Sequence, residues 1–406
     1  MKLLRLMFAL LPGSLLLAVE NSMPDRVSAR PELTITTLGF GSCARQERPQ
    51  PIWDRIIDAK CDAFVLCGDN IYGDSADPLV LRQKYATFAA MPGFAKLRAS
   101  TPLFATWDDH DYGSNDDGAG FVGAAAAQRE FCDFFQVPAT SPLRSAPGVY
   151  NCVTFGPEGK RVQLILLDTR SFRSPLKKDP VNGKANIANT DAGVTILGDA
   201  QWEWLERRLR EPAEIRVVVT SIQFISAEHP FEKWQNFPKE YDRFLALLHK
   251  TQAKGVVIVS GDRHIAEFSL LKPADGAPYP LYDMTTSGLN LTKPLKPVIK
   301  PETAKPLPEN SVDEKNPSEP KPIVEVKPEE PKPPVEKKLS PPPPNRFRTH
   351  ERPYTRANFG LMRVKWDGPH PELRLEICGL DGELILVQDI PFSSFSPSEK
   401  TAEPAK

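Results

Sequence analysis

Short apolar runs, several of them apolar at consecutive positions, recur through most of this chain, with helical stretches between them. The predicted strands cover residues 33–40, 63–67, 102–107, 162–167, 215–223 and 255–260. Apolar residues at consecutive positions are typical of strands that are covered on both faces. The predicted helices cover residues 52–59, 79–90, 121–135, 200–210 and 239–251, with Asp199 as the cap of the fourth. This alternation indicates an α/β domain.

Polar residues that could bind a metal or a phosphate follow nearly every one of these strands. The strand ends run into Ser42-Cys43, Gly68-Asp69, Asp108-Asp109-His110, Asp168-Thr169-Arg170 and Gly261-Asp262-Arg263-His264. Because the carboxyl ends of parallel strands lie along one edge of a sheet, and ligands bind there, we expect these side chains to converge. One such end would be ordinary helix capping, but five with the same placement predict a binding site.

The residue types at these strand ends are typical of a pair of metal ions. The candidate ligands are Cys43, Asp69, Tyr72, Asp109, Asp262 and His264, with Asp69 as the bridge between the ions. A thiolate and a phenolate at one ion indicate iron(III) or zinc, whereas an oxygen-rich partner site suits calcium, magnesium or manganese. Two ions about 3.5–4 Å apart can hold a bridging hydroxide in line with a phosphorus atom.

A family resemblance rests on motifs that occur in a fixed order along the chain. The motifs are GSC, GDNIYGD, TWDDHDYGSND, LLDTRSFR, TSIQF, FEKWQNFPKEYDR and VSGDRHIAEFS. In this order they resemble the alkaline phosphatase D (PhoD-like) branch of the calcineurin-like metallophosphoesterases, over about residues 33–290 and again from Asn358. The resemblance implies a four-layer α/β/β/α sandwich, the six metal ligands named above, and His110 as the acid that protonates the leaving oxygen.

Substrate-binding residues are less sharply indicated. Arg170 and Arg173 could hold phosphate oxygens as planar donors or could form surface ion pairs. The resemblance alone implies that Trp234, Asn236 and Glu240 line the cleft, and Arg170 and Asn236 are the residues that we expect to contact substrate. The additional histidine of the wider superfamily is not matched at Ser221, so Asn236, His229 or water remain the options for the second ion.

Other sites and partners are poorly supported by the sequence. The segment 39–44 approximates a dinucleotide fingerprint, but no acidic residue closes a second strand in the way that ribose binding requires. The Asp-rich run 108–117 lacks the glycine that an EF-hand loop has at its sixth position. The formal net charge of -1 argues against a broad basic surface for nucleic acid.

The first residues predict an export signal. Lys2 and Arg5 precede an apolar run at 6–19, which is too short to span a bilayer comfortably and contains a Pro-Gly pair. We expect a signal peptide within residues 1–29, with cleavage after Ala18 or Ala29, and no stable transmembrane span; an uncleaved amphipathic start is the alternative. Export would permit disulfides, but six cysteines are too sparse for a disulfide-built fold.

A change in composition divides the rest of the chain. Residues 30–291 form the predicted phosphoesterase domain, and residues 292–349, rich in proline, lysine and glutamate, form a predicted disordered insertion. Residues 350–394 contain alternating strands, with Asp381-Gly382 as a hairpin turn, that we expect to complete the domain. Residues 395–406 form a predicted disordered tail. The insertion could bind a cell-envelope partner or a wall polymer, or could be inert.

These observations predict an exported enzyme that hydrolyses phosphate mono- or diesters by attack of a metal-bridging hydroxide. A phosphotriesterase-like hydrolase with the same site is one alternative. A non-catalytic cell-envelope protein that uses the proline-rich segment for binding is the other.

Overall fold

The computed structural model describes residues 26–292 and 344–395. The predicted signal peptide up to residue 25, most of the insertion and most of the tail lie outside these residues. Residues 344–395 belong to the same compact unit as residues 26–292. Of the helices in the described ranges, none has the length and apolar character that crossing a membrane requires.

The larger of two sheets has seven strands within the described residues. In spatial order they are β1 (Val27–Arg30), β5 (Asn151–Phe155), β6 (Val162–Leu166), β9 (Ile215–Thr220), β10 (Val256–Ser260), β12 (Leu281–Thr286) and β11 (Ala266–Leu271). The four strands β6, β9, β10 and β12 are parallel neighbours and are buried at every position. The consecutive apolar residues of β6, β9 and β10 are therefore covered on both faces, as predicted.

The second sheet, counted over the same described ranges, has six strands. In spatial order they are β15 (Leu384–Ile390), β14 (Glu372–Gly379), β13 (Asn358–Lys365), β2 (Thr37–Gly41), β3 (Ala63–Cys67) and β4 (Leu103–Thr106). Strands β2, β3 and β4 are parallel, whereas β13 pairs antiparallel with β2, Gly360 lying opposite Phe40. A small hairpin joins β7 (Lys177–Lys178) and β8 (Asn186–Ile187).

Helices lie between the strands in sequence: α1 (Ile52–Asp58), α2 (Pro78–Ala89), α3 (Pro92–Ser100), α4 (Asp109–Tyr112), α5 (Ala124–Phe134), α6 (Gly198–Leu209) and α7 (Pro238–Thr251). Trp53 of α1 packs on Phe64 of β3, with ring centroids 6.0 Å apart. Gln163 of β6 donates to Arg208 O of α6 at 2.9 Å.

The two sheets pack face to face with helices on the outside. Phe104 of β4 contacts Phe155 of β5, with ring centroids 5.3 Å apart. On the neighbouring strands, a Cβ placed on Gly360 of β13 would lie 3.0 Å from Met284 of β12. These contacts give the α/β/β/α order of layers and confirm the predicted fold class.

Two local predictions about turns have different outcomes. The hairpin at Asp381-Gly382 is confirmed: Gly382 has a φ of 78°, and its N–H donates to Gly379 O at 3.1 Å. The prediction that Asp199 caps α6 is wrong, because the helix already includes Gly198 and makes no side-chain cap bond. The N–H of Gly198 instead donates to Thr195 Oγ1 at 2.9 Å.

Three predicted boundaries differ from the structure. Residues 27–30 form β1, so of the two predicted cleavage points only the one after Ala18 leaves this strand intact. Residues 345–349, assigned to the insertion, contact β11 because Arg348 and Asn345 both bind the buried Glu267, at 2.6 and 2.8 Å. Phe395, assigned to the tail, is buried against Tyr279.

Candidate metal centre

The strand ends of both sheets meet between the layers. Ala44 N–H, just after β2, donates to Asp69 O after β3 at 2.9 Å. Gly261 N–H, after β10, donates at 2.9 Å to the carbonyl of Ser221, the residue after β9. Ser221 also donates its hydroxyl to Asp108 Oδ1, after β4, at 2.6 Å, which links the two sheets.

A first group of candidate ligands combines sulfur, oxygen and nitrogen. One ligand atom each from Cys43, Asp69 and His264 lies within 4.8 Å of the others. Cys43 Sγ is 3.5 Å from Asp69 Oδ2, and the Tyr72 hydroxyl is 2.9 Å from the same oxygen and 3.1 Å from His264 Nε2. These four predicted ligands therefore surround one point.

A second group shares Asp69 with the first. Asp69, Asp109 and His110 each offer one atom within 4.8 Å of the others. Asp109 is the first residue of α4, and its two oxygens accept from the N–H groups of His110 at 2.9 Å and Asp116 at 2.8 Å. Two ligand groups that meet at one carboxylate can accommodate two neighbouring ions.

A third group, Asp109, Asp116 and Glu232, contains two residues that the sequence analysis did not select. Asp116 belongs to the acidic run 108–117, and Glu232 to the FEKWQNF motif, but neither position carried a specific signal. Both are already paired: Lys178 Nζ is 3.1 Å from Asp116 Oδ2, and Arg173 Nε is 2.8 Å from Glu232 Oε1.

The chemistry of the donors fits a cation. Burial and the nearby Asp69 raise the pKa of Cys43 well above its usual value, and burial with Asp109 does the same for the pKa of Asp69. Burial and Asp69 raise the pKa of Tyr72 in the same way. Asp69 Oδ1 and Asp262 Oδ2 are buried without a hydrogen-bond donor among the described residues. A cation would stabilise the charged forms and satisfy these oxygens.

Backbone strain is concentrated at the same positions. Cys43, Asp69, Asp262 and His264 have φ values of 63°, 52°, 65° and 57°. A residue with a Cβ rarely adopts this left-handed conformation, and it costs of order 1–3 kcal/mol at each position. Such strain persists where the surrounding structure requires a particular side-chain direction, which is typical of functional sites.

Glycines beside the ligands allow the two sheets to approach. Gly68 has a φ of 105°, and a Cβ there would lie 2.7 Å from Asp108 Cβ and 3.1 Å from Ser221. A Cβ on Gly261 would lie 2.7 Å from Ser42 Oγ. The glycines before Asp69 and Asp262 are therefore required by close packing at the strand ends.

His110 has a carboxylate partner. Its Nδ1 is 2.6 Å from Asp74 Oδ1, and its ring packs on Tyr72 with centroids 4.3 Å apart. Burial would lower the pKa of His110, but the hydrogen bond to Asp74 and the charges of Asp69 and Asp109 raise it to about 10. Asp74 ends the GDNIYGD motif, but the sequence analysis gave it no role.

Arg170 is paired with two buried carboxylates in the structure. The residue is fully buried, and its guanidinium contacts Asp108 Oδ1 through Nε and Glu232 Oε2 through Nη1, each at 2.6 Å. These contacts give no support for the predicted substrate contact of Arg170, because the two carboxylates already accept from its Nε and Nη1. The alternative of a surface ion pair is wrong, because the pair is buried.

The cleft residues implied by the resemblance have structural contacts instead. Asn236 is buried, and its side-chain oxygen accepts from Lys233 N at 2.8 Å, which closes the turn Trp234–Asn236. Glu240 accepts from Ile196 N at 2.7 Å and from Trp202 Nε1 at 2.9 Å, which holds the start of α6. The contacts of Asn236 give no support for the predicted substrate contact.

Two further residues that the sequence analysis missed fix the ligand loops. Asp111 accepts from the N–H groups of Asn70, Ile71 and Asp108 at 3.0, 3.1 and 3.1 Å. It therefore joins the loop of Asp69 to the loop of Asp109. Ser287 Oγ is 3.1 Å from Cys43 Sγ and accepts from His264 N at 2.7 Å.

Known proteins resemble this chain in sequence and in fold. Residues 38–294 match the PhoD-like phosphatase family. Alkaline phosphatase D of Bacillus subtilis (strain 168) is 23% identical over 269 residues, which are 56% of this chain but only 46% of that protein. The chain thus spans about half the length of that relative.

Two solved structures resemble the fold of this chain. The match to the structure of PhoD covers 91% of this chain and 73% of the PhoD chain, at 16% identity and a TM-score of 0.57. A dimetal phosphatase from Danio rerio covers 90% of this chain and 100% of its own, at 11% identity and a TM-score of 0.47. The likeness to PhoD supports a common fold.

Proposed function

Because this chain belongs to the PhoD-like phosphatase family, we propose that it hydrolyses phosphoric esters at a pair of metal cations between its two sheets. The observation that carries this proposal is the carboxylate of Asp69, which lies within reach of Cys43 and His264 in one group and of Asp109 in the other. Two neighbouring cations are a common device for displacing an alcohol from phosphorus.

The donor set divides between the two cations. Cys43, Tyr72 and His264 would hold one cation together with Asp69, and this sulfur- and phenolate-containing set suits iron(III) or zinc. Asp69, Asp109 and Asp262 would hold the other, which suits calcium, magnesium or manganese. When bound, the cations would generate a nucleophile from water near neutral pH and offset negative charge on the phosphoryl oxygens.

His110 would donate a proton to the departing alcohol oxygen. Its hydrogen bond to Asp74 fixes the orientation of the ring and favours the protonated imidazole, while the Tyr72 ring packs against it. The imidazole also lies in the second ligand group, so a proton on it is close to the reacting bond.

A groove beside the centre offers room for the alcohol part of a substrate. It has a volume of about 390 Å³ and begins at Asp116, with Phe121, Leu176 and Lys178 among its lining residues. Its apolar residues suit the organic part of a phosphate mono- or diester. A phosphotriester at the same centre is the second candidate substrate.

Export is a separate proposal that rests on the N-terminal pattern of Lys2, Arg5 and the apolar run, which lie outside the described residues. An enzyme delivered outside the cytoplasm would meet extracellular phosphoesters. A binding role for the proline-rich segment, with an envelope partner, is compatible with this activity and remains a proposal.

The test combines elemental analysis with a hydrolysis assay. The purified full-length protein is expected to contain two metal equivalents and to release phosphate from a monoester, an alcohol from a diester, or both. Asp69→Ala is expected to lose metal and at least about 1000-fold in rate, because both cations lose a ligand.

Asp58→Ala, which alters an exposed aspartate on α1, is the matched control and should retain both properties. Intact turnover in Asp69→Ala, or a wild-type protein that holds no metal after purification with added cations, would contradict the proposed function.

A further inference from the structure

Arg263 is a buried cation next to the candidate ligands, and its guanidinium makes few polar contacts. It stands between Asp262 and His264 in the chain, and only 5% of its surface is exposed. Its Nε has no hydrogen-bond acceptor among the described residues, and Nη1 lies 3.7 Å from Asp262 Oδ2, beyond hydrogen-bond distance. A buried guanidinium in this position lacks the partners that normally offset its desolvation.

The other arginine and lysine side chains nearby already have polar partners. Arg170 and Arg173 are paired with buried carboxylates at 2.6 and 2.8 Å. Lys233 Nζ donates to the carbonyls of His229 at 2.6 Å and Phe231 at 3.1 Å. Lys178 Nζ binds Asn186 Oδ1 at 2.7 Å as well as Asp116. Arg263 is thus the buried cation whose donors are least used in this part of the described structure.

The side chain of Arg263 is held in one direction by an aromatic ring. The guanidinium carbon lies 4.0 Å from the centroid of the Phe231 ring, a distance typical of a cation–π contact. Lys233 fixes the loop that carries this ring through the two carbonyl contacts described above. Phe231 is 43% exposed, so the Arg263–Phe231 pair borders solvent next to the candidate centre.

We propose that Arg263 binds a non-bridging phosphoryl oxygen of the substrate and that Phe231 holds its guanidinium in position. This inference rests on the proposed function, because Asp262 must turn its carboxylate to a cation. The one weak ionic partner of Arg263 is then engaged, and a planar donor whose Nε–H has no acceptor remains beside a candidate ligand. A phosphoryl oxygen, which accepts hydrogen bonds and carries negative charge, matches this donor.

The test measures anion binding without turnover. Inorganic phosphate is titrated by calorimetry into the metal-loaded full-length protein and into its Arg263→Gln variant. The Kd of phosphate is expected to rise by roughly 10- to 100-fold in the variant, which corresponds to the loss of a charge-assisted hydrogen bond. Elemental analysis of both proteins is expected to give equal metal content.

Arg374→Gln is the matched control, because it removes an arginine whose partner is the exposed Asp389 on the neighbouring strand. Arg263→Lys keeps the charge but loses the planar fork, so its Kd should lie between those of the wild type and Arg263→Gln. Phe231→Leu should raise the Kd by about threefold to tenfold, since one cation–π contact is lost.

A second readout distinguishes contact with phosphate from a purely structural role. If Arg263 meets the phosphoryl group, Arg263→Gln should impair hydrolysis of a dianionic monoester more than that of a monoanionic diester. A Kd for phosphate within twofold of the wild type in both Arg263 variants would overturn the inference, as would a wild-type protein that does not bind phosphate. Phosphate binding that depends on Arg263 in a protein without turnover would instead overturn only the proposed function.

Discussion

His110 and Asp69 lie next to each other in the second ligand group, but their proposed roles differ. Asp69 offers oxygens to both ligand groups, so its removal affects the cations themselves. His110 has an acidic partner in Asp74 and an aromatic neighbour in Tyr72, so its removal leaves the first ligand group intact. The two roles can therefore be separated by measuring metal content and rate in the same variants.

His110→Ala is expected to retain bound metal and to lose about 100- to 10,000-fold in kcat, the usual contribution of a positioned proton donor. The loss should be smallest for a nitrophenyl ester, whose leaving group departs without a proton, and largest for an alkyl ester. Elemental analysis and kcat for both esters check this. An equal loss for both esters would contradict the role of proton donor.

At the scale of loops and strands, the carboxylate of Asp111 joins two ligand loops. Asp111→Ala would leave three buried N–H groups without an acceptor, those of Asn70, Ile71 and Asp108. We expect the free energy of unfolding in urea to fall by about 3 kcal/mol or more, because each unsatisfied donor costs about 1–3 kcal/mol. Asp111→Asn keeps one oxygen and should lose less; equal stability of the alanine variant and the wild type would contradict this role.

The buried Asp283 of β12 gives a test of pH dependence. It accepts from Phe224 N and Ile225 N at 3.1 Å and from Ser260 Oγ at 2.8 Å, but burial raises its pKa to about 6 despite these donors. The unfolded chain ionises Asp283 at a lower pH, so the folded state binds more protons between about pH 4 and 6. Stability attributable to Asp283 should therefore be greatest below pH 4 and decrease as the pH rises to 6.

Asp283→Asn should remove this pH-dependent contribution to the free energy of unfolding, which is on the order of 3 kcal/mol. The amide oxygen of the variant would still accept from the backbone. Urea unfolding of the wild type and the variant at pH 4, 5, 6 and 7 measures how the free energy of unfolding of each protein changes with pH. Parallel curves across this range would show that Asp283 does not titrate as described.

The elements that position the centre were predictable because their sequence signals are local. Consecutive apolar residues mark the buried strands, and Gly-Asp pairs follow β3 and β10, where close packing requires glycine. The pairing of Arg170 with Glu232 was not predictable, because the two residues are far apart in the chain and nothing local selects one partner. Nor does any residue type mark a left-handed backbone at Cys43 or His264.

At the scale of the molecule, the fold class and family follow from the order of the motifs, whereas boundaries depend on tertiary contacts. In the sequence, strand β1 follows a segment that has the pattern of a signal peptide. Local composition does not reveal the pairing of β1 with β5. In the same way, residues 345–349 have a loop-like sequence, but the buried Glu267 of β11 draws Arg348 and Asn345 to it.

Replacement of residues 294–343 with a short Gly-Ser linker tests whether the proline-rich segment contributes to the enzyme. The contacts that hold β13 to β2 lie within the described residues, so we expect the Tm to change by less than about 2 °C, a shift of roughly 1 kcal/mol or less in stability. Metal content and kcat should also be retained. Loss of turnover with metal retained would show that the segment contributes to the reaction.

The pairing of β13 with β2 also has a consequence for biosynthesis. Strand β2 leads directly to Cys43, yet its second neighbour is made only when the ribosome reaches residues 358–365. A nascent chain would therefore carry an open strand edge beside a ligand thiol throughout most of its synthesis, and open edges invite pairing with other chains. The edge of β2 is covered in a finished centre only after residues 358–365 have been made.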